Sequence, residues 1–189
     1  MTGVQTCALP IYFCNGGVEQ EWPGETRLLV PSPRDVPSYD HKPQMSAREA
    51  ATAFCDEIRN GYAFGIINFA NPDMVGHTGS IPATVAAVET TDECLGRVVD
   101  TVTDAGGVCL IIADHGNAEK LIADDGVSPH TAHTTNRVPF IVTEAAAQAR
   151  DGELADLAPT ALALLDVPKS EHMEGRDLVF QGYTGDRCR

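Results

Sequence analysis

The chain is poor in basic residues and has no long apolar segment. Of its 189 residues, 13 are Lys or Arg and 27 are Asp or Glu, which gives a formal net charge of −14. Because so acidic a surface repels phosphodiester backbones and anionic lipid headgroups, we expect neither nucleic acid nor a membrane as a partner. No apolar run approaches the roughly 18 residues of a membrane-spanning helix, and the short apolar run near the N-terminus lacks a basic flank. We expect a cytoplasmic protein.

Paired cysteines are missing as well. The six cysteines form no C-x-x-C pair and no short secreted framework: Cys7, Cys14, Cys55, Cys94, Cys109 and Cys188. This spacing argues against a zinc ribbon and against a disulfide scaffold, and it fits a reducing cytosol. With 43% hydrophobic residues, the chain can bury a sizeable core, and its length is typical of one domain.

Three helices are predicted from capping and periodicity. Ser46 and Glu49 have the S-x-x-E form of a capping box, which predicts a helix from there to about Asn60. A long helix, ended by Gly106-Gly107, is predicted from apolar residues at helical spacing. These residues are Ile81, Val85, Val88, Leu95, Val98, Val99 and Val102. The last helix is expected at 156–165, with Pro159 in its first turn.

Compact apolar runs bounded by turn residues predict the strands. They cover residues 64–69, 108–113 and 138–143, and a shorter run at 28–30 lies in a Pro- and Gly-rich loop. Strands that alternate with helices indicate an α/β layered sheet. The 114–137 segment has no helical period, whereas a parallel neighbour usually needs a helical crossover. We therefore expect strand 138–143 to run antiparallel to strand 108–113.

Carboxylate and imidazole side chains cluster beside these strands. Three segments contribute them: Asp73 with His77, Asp114 with His115, and His130 with His133. Any one such segment is more often a turn beside a solvated imidazole, but three of them on one rim of a sheet favour a ligand site. A mixed Asp and His set suits Mn²⁺ or Zn²⁺, whereas Mg²⁺ and Ca²⁺ prefer oxygen. With one histidine of the last pair, the segments supply five ligands. Because five ligands exceed what one small ion usually takes from protein, we expect two ions.

The remaining histidines and hydroxyls are weaker candidates. His130 is expected either to replace His133 as a ligand or to hydrogen-bond beside the site. A surface role is the better interpretation for His41, in the Pro-rich loop, and for His172, in a polar stretch. Hydroxyl groups near the motifs are explained as well by loop capping as by nucleophilic chemistry: Ser80, Thr78, Thr131 and Thr134. No catalytic nucleophile is assigned within the chain.

Three motifs resemble those of one known family. Residues 68–79, NFANPDMVGHTG, closely resemble a signature of the cofactor-independent phosphoglycerate mutases. Residues 113–119, ADHGNAE, and 130–136, HTAHTTN, resemble the next two motifs of that family, in the same order. Shorter matches extend the resemblance to about residues 12–180: 15–19, 31–33, 45–47, 157–160 and 173–175.

The resemblance implies a fold and a chemistry. It implies an alkaline-phosphatase-like αβα layered sheet, mostly parallel, that is incomplete here because its N-terminal part is missing. It also implies two divalent ions, commonly Mn²⁺, and a glycolytic isomerase that interconverts 3- and 2-phosphoglycerate through a phosphoserine, without 2,3-bisphosphoglycerate. By motif, Asp73, His77 and His133 resemble the ligands of one ion, and Asp114 and His115 those of the other. The serine nucleophile, a further aspartate ligand and the substrate-binding arginines are expected upstream.

The resemblance also divides the chain into parts. Residues 1–11 are expected to be foreign to the fold or disordered, because no period links them to the rest and they lack the lysine that the family carries there. Residues 12–180 are expected to form the C-terminal part of the metal-binding domain, and 181–189 a tail. The chain alone is expected to be inactive, and the full-length protein to be a monomer. The alternatives are a phosphopentomutase or phosphohydrolase of the same superfamily, or a non-catalytic metal-binding remnant.

Overall fold

A computed structural model describes residues 2–5, 20–144 and 147–180. The chain divides into two compact units. Unit 1 comprises Met1–Ala105 and Gly116–Thr135, and unit 2 comprises Gly106–His115 and Asn136–Arg189. The predicted tail at 181–189 lies outside the described residues. Among the described helices, none has both the length and the apolar character that crossing a bilayer would need.

Unit 1 contains a three-stranded parallel sheet. Its strands are β1 (Thr2–Gln5), β2 (Thr26–Leu29) and β3 (Gly65–Asn68), in the spatial order β2-β1-β3. Val4 of β1 lies opposite Leu28 on one side and Ile67 on the other. The strands expected at 28–30 and 64–69 are confirmed, although the first begins two residues earlier than predicted.

The central strand of this sheet falls within residues 1–11, which were expected to be foreign to the fold. Within that segment, Thr2–Gln5 pair on both sides, whereas residues 1 and 6–11 lie outside the described residues. That the segment is foreign stays a prediction. Deleting it and measuring the melting temperature is the direct test.

The core of unit 1 lies between two helices, α1 (Ala47–Arg59) and α3 (Ile81–Asp104). Its fully buried members are mostly small: Ala47, Ala50, Ala51, Phe54, Cys55, Cys94 and Val98. Because small side chains let helix backbones approach closely, the two helices pack tightly along their lengths. Partly buried apolar residues of β2 and β3 complete this core.

The predicted apolar face of α3 is only partly the buried one. Thr84, Ala87, Thr90, Cys94 and Val98 are buried. Cys94 and Val98 belong to the core shared with α1, and Ala87 packs in a second cluster. Larger residues on the neighbouring face remain exposed, at 45% for Ile81, 50% for Val85 and 44% for Val88. The predicted helix is confirmed, but these three of the residues whose spacing predicted it do not lie on its buried face. The spacing of the bulkier apolar residues predicted the helix, whereas the face that packs against the alanine-rich α1 carries smaller side chains.

The start of α1 differs in detail from the predicted capping box. The helix begins at Ala47, as expected, but Ser46 makes no side-chain cap hydrogen bond. Its hydroxyl donates instead to the carbonyl oxygen of Pro31, 2.7 Å away. The N–H of Ala47, at the start of the helix, already donates to Gln44 O within a turn. The Ser46 hydroxyl is therefore available to fix the preceding loop.

Unit 2 contains two small antiparallel pairs. Strand β4 (Leu110–Ile112) pairs with β5 (Phe140–Val142), with Ile111 opposite Ile141. Strand β6 (Gln148–Ala149) pairs with β7 (Val179–Phe180). The antiparallel direction of the strand predicted at 138–143 is confirmed.

The last helix of unit 2, α4 (Leu157–Leu164), is anchored at its start by Asp156. The Asp156 carboxylate accepts hydrogen bonds from the backbone N–H groups of Arg176 and Glu153, both at 2.8 Å. These bonds lower the pKa of Asp156. Thr160, fully buried in α4, accepts a hydrogen bond from Leu178 N–H and so ties the C-terminal segment to the helix.

Candidate metal centre

A short helix, α2 (Asn71–Gly76), presents two of the predicted ligands. No helix was predicted after the strand at 64–69, although the proline of Asn71-Pro72 is well suited to a first helical turn. His77 continues the helical geometry, because its N–H donates to Asp73 O at 3.0 Å. Residues four apart lie on the same helical face, so the side chains of Asp73 and His77 point the same way.

Buried contacts hold α2 in place within unit 1. Val75 is fully buried in a small cluster with Met45 and Ala87, and this burial stabilises by about 1.5–3 kcal/mol. The amide of Asn71, also fully buried, donates to the carbonyl oxygens of Pro43 and Gln44 at 3.0 and 2.7 Å. The helix that carries Asp73 is thus fixed on two sides.

The third ligand, His133, comes from the loop at 116–135. An isolated bridge closes this loop, in which Thr134 N–H donates to Gly116 O at 2.9 Å. A second bridge joins Ile122 and Pro129 farther along. As the sequence analysis expected, the 114–137 segment contains no helix.

The ligand atoms of these three residues converge on one point. Oδ1 of Asp73 lies 3.2 Å from Nε2 of His77 and 3.1 Å from Nε2 of His133, and the two Nε2 atoms are 3.1 Å apart. Ligands bound at about 2.0–2.2 Å to one ion, at angles between octahedral and tetrahedral, lie about 2.8–3.6 Å from one another. The observed separations therefore fit a single transition-metal ion.

The tautomer of His77 strengthens this interpretation. Its Nδ1 lies 2.7 Å from the carbonyl oxygen of Thr131, which can only accept, so Nδ1 carries the proton. In the neutral ring, Nε2 then presents a lone pair toward the Asp73 carboxylate. Acceptors that face each other at hydrogen-bond distance repel unless a proton or a metal cation lies between them. A backbone carbonyl that holds Nδ1–H is also the usual orienting contact of a metal-bound histidine.

His130 lies outside this cluster. Its Nδ1 is 3.1 Å from the backbone carbonyl of Lys120 and donates to it across the 116–135 loop. Among the described residues, the group with ligand geometry contains Asp73, His77 and His133. Of the two histidines in the HTAHTTN motif, it is His133 that the structure brings to Asp73 and His77.

Asp114 and His115 follow β4 in unit 2. Oδ1 of Asp114 lies 3.7 Å from Nε2 of His115, and the Asp114 side chain is 83% exposed. Within the described part of unit 2, no third carboxylate, imidazole or thiol group completes this pair. Their role as ligands of a second ion stays a prediction. His41 and His172, predicted at the surface, are both exposed.

The sequence analysis assigned no role to Asn117 and Glu119, although both belong to the ADHGNAE motif. The side-chain amide of Asn117 donates to Oδ1 of Asp73 at 2.7 Å. Oε2 of Glu119 accepts from Asn117 N–H at 2.7 Å, and its Oε1 accepts from the Thr134 hydroxyl. Neither residue follows a period or a ligand spacing, so only the motif's length indicated that these positions matter.

Comparison with known proteins identifies the wider family. A profile of the metalloenzyme superfamily matches residues 2–169. This chain belongs to the metalloenzyme superfamily. The α/β fold expected from the sequence is confirmed by a crystal structure of Leishmania mexicana phosphoglycerate mutase at low cobalt concentration. It aligns with a TM-score of 0.85 and 30% identity over 95% of this chain and 36% of that one.

Curated relatives extend the match. The chain is 50% identical over 174 residues to a 2,3-bisphosphoglycerate-independent phosphoglycerate mutase of Moorella thermoacetica. The alignment covers 90% of this chain and 33% of that protein. It is 55% identical over 171 residues to the mutase of the same name from Desulforudis audaxviator, covering 89% and 33%. The predicted resemblance to cofactor-independent phosphoglycerate mutases is confirmed. The chain spans about a third of the length of these relatives.

Proposed function

We propose that this chain is the C-terminal, metal-binding part of a cofactor-independent phosphoglycerate mutase, an isomerase that interconverts 3- and 2-phosphoglycerate in glycolysis. The observation that carries the proposal is the convergence of Asp73 Oδ1, His77 Nε2 and His133 Nε2 within 3.1–3.2 Å of one another. Their motifs, and the relatives in which similar sequences occur, support the assignment.

The chain's own contribution is a preformed set of ligands. Asp73, His77 and His133 would hold one divalent ion, and Asp114 and His115 would contribute to a second; we propose Mn²⁺ for both. Bound there, the ions supply Lewis-acid neutralisation of the transferring phosphoryl group and lower the pKa of a serine hydroxyl. The exposed faces of these side chains leave room for the phosphoryl oxygens and for ligands from outside the chain.

Nucleophilic chemistry is assigned to a serine outside this chain. Two of the hydroxyls near the centre already donate to neighbours: Thr78 to Val75 O at 2.6 Å, and Thr134 to the Glu119 carboxylate. Both contacts are explained by hydrogen bonding at a helix end and in a closed loop, so neither hydroxyl is assigned a nucleophilic role. Loss of a nucleophile alone costs about 10⁶ in kcat, so we expect no turnover from the isolated chain.

The experiment compares the chain alone with the chain plus the preceding portion of the Moorella thermoacetica mutase, each with Mn²⁺. Calorimetry should show Mn²⁺ binding by the chain alone, and an enolase-coupled assay should show 2-phosphoglycerate formation only after the second chain is added. Turnover by the chain alone would place the nucleophile within it and refute this division of roles. Absence of Mn²⁺ binding would argue for a remnant without metal function.

Cellular setting follows from the same proposal. The acidic composition supports a cytoplasmic protein that binds a small phosphorylated acid rather than nucleic acid or membrane. We propose a monomeric full-length enzyme. Sedimentation of that enzyme at several concentrations would test this.

A further inference from the structure

Asn117 contacts one residue of the candidate metal centre, Asp73, without being a ligand itself. The residue is 4% exposed. Its Nδ2 donates to Oδ1 of Asp73 at 2.7 Å and lies 3.4 Å from the Asp73 backbone oxygen. Oδ1 is the same carboxylate atom that faces the two imidazoles, so the amide holds the ligand atom itself.

The orientation of this amide is fixed by its surroundings. Rotating the amide by half a turn would place its own oxygen against two oxygens of Asp73, which is repulsive. The Asn117 Oδ1 atom is buried and has no hydrogen-bond partner among the described residues. It lies over Gly76, where an added Cβ would come within 2.4 Å of it. The glycine of the DMVGH segment thus leaves the space that Asn117 fills.

A carboxylate joins Asn117 to the loop of His133. Glu119 accepts from the backbone N–H of Asn117 through one oxygen and from the hydroxyl of Thr134 through the other. Thr134 directly follows His133, and its N–H donates to Gly116 O at 2.9 Å. A Cβ at Gly116 would lie 2.2 Å from the Thr134 hydroxyl, so this approach also requires glycine. The Asn117 segment is therefore tied to the residues beside both Asp73 and His133.

We propose that Asn117 is a positioning residue for the metal centre: its amide holds Asp73 Oδ1 in the orientation in which it meets His77 and His133. This inference rests on the proposed metal site. Without the amide, the partly exposed Asp73 side chain has other rotamers open to it, and the ligand set must be ordered when the ion binds. Contacts that orient a ligand in this way typically contribute about ten- to hundredfold in metal affinity.

The test uses Co²⁺, whose visible absorption reports coordination geometry and whose titration gives an affinity. Asn117→Ala should weaken Co²⁺ binding about ten- to hundredfold and alter the absorption spectrum of the bound ion. Asn71→Ala is the matched control, because Asn71 is also a buried asparagine with one unpartnered oxygen, at the first position of α2, but it donates to Pro43 and Gln44 rather than to Asp73. That variant should keep Co²⁺ affinity within about threefold, even if its melting temperature falls.

A second variant perturbs the contact without changing Asn117. Gly76→Ala should displace the Asn117 amide and weaken Co²⁺ binding in the wild-type background, but it should add little in the Asn117→Ala background, where the space is vacant. Equal affinity losses in Asn117→Ala and Asn71→Ala, or additive effects of Gly76→Ala and Asn117→Ala, would overturn the positioning role. No Co²⁺ binding by the wild-type chain would overturn the proposed metal site, and this inference with it.

Discussion

The two predicted ligand sets arose from the same sequence signal, yet only one is assembled within its own unit. Asp73 and His77 lie one helical turn apart on α2, and His133 reaches them from a closed loop. Asp114 and His115 are adjacent residues beyond a strand, with their ligand atoms 3.7 Å apart. Helical spacing places Asp73 and His77 on one face of α2, where His133 joins them, whereas Asp114 and His115 lie in a bend, and no third ligand from the described part of unit 2 joins them. The second pair therefore needs ligands from other segments before it can hold an ion.

The largest expected effect separates these two sets directly. Asp73→Ala removes the oxygen that both imidazoles face, so Mn²⁺ or Co²⁺ affinity of the chain should fall by more than about a hundredfold, beyond the loss expected for an orienting contact. Asp114→Ala should change the affinity of the first ion by less than about threefold. Isothermal titration of both variants measures this. A comparable loss in Asp114→Ala would show that the two sets form one inseparable site.

A second, smaller contrast lies within the HTAHTTN motif. His133→Ala should weaken metal binding at least about tenfold because it removes one of three converging atoms. His130→Ala loses only a hydrogen bond to Lys120 O and should leave affinity nearly unchanged. The same titration, with circular dichroism to confirm folding, distinguishes them. If His130→Ala had the greater effect, the assignment of the ligand within this motif would be reversed.

The smallest effect concerns Asp156, which anchors α4 in the unit that carries Asp114 and His115. Hydrogen bonds from the backbone N–H groups of Arg176 and Glu153 hold the pKa of Asp156 below its usual value of 3.8. A carboxyl whose folded pKa is depressed stabilises above its unfolded pKa and loses that contribution as pH falls through the folded value. The urea midpoint of unfolding should therefore fall more between pH 7 and pH 3 for the wild type than for Asp156→Asn. Equal falls would mean that other carboxyls dominate the acid sensitivity.

Local patterns predicted much of the fold and the identity of the clustered ligands. The α1 start, the antiparallel pairing of β4 with β5, and the Asp73 to His77 spacing depend on short stretches of sequence, which can be interpreted without tertiary contacts. The positions of Asn71–Gly76 as a helix and of His133 beside it depend on contacts between distant segments. The proline of Asn71-Pro72 is a local signal for the helix, but no local pattern encodes the position of His133 beside it.

The errors have a common physical origin. Ser46 was expected to cap its own helix, but a carbonyl 15 residues away offers its hydroxyl a better partner. Val85 was one of the apolar residues whose spacing predicted α3, but it is 50% exposed, whereas Cys94 and Val98 pack against α1. Asn117 was unassigned because its importance lies in one contact, with Asp73, that forms only after folding. In each case a tertiary partner overrode a preference that is real in isolation.

The exposed face of α3 bears on the fate of the chain in a cell. Ile81, Val85 and Val88 form an apolar ribbon at one-turn spacing along the first two turns of the helix, and they are 45%, 50% and 44% exposed. Exposed apolar surface of this kind is recognised by chaperones and proteases, and it promotes aggregation at high concentration. Steady-state abundance of the isolated polypeptide is therefore governed by proteostasis as much as by its folding free energy, and polar substitution along the ribbon should lengthen its half-life.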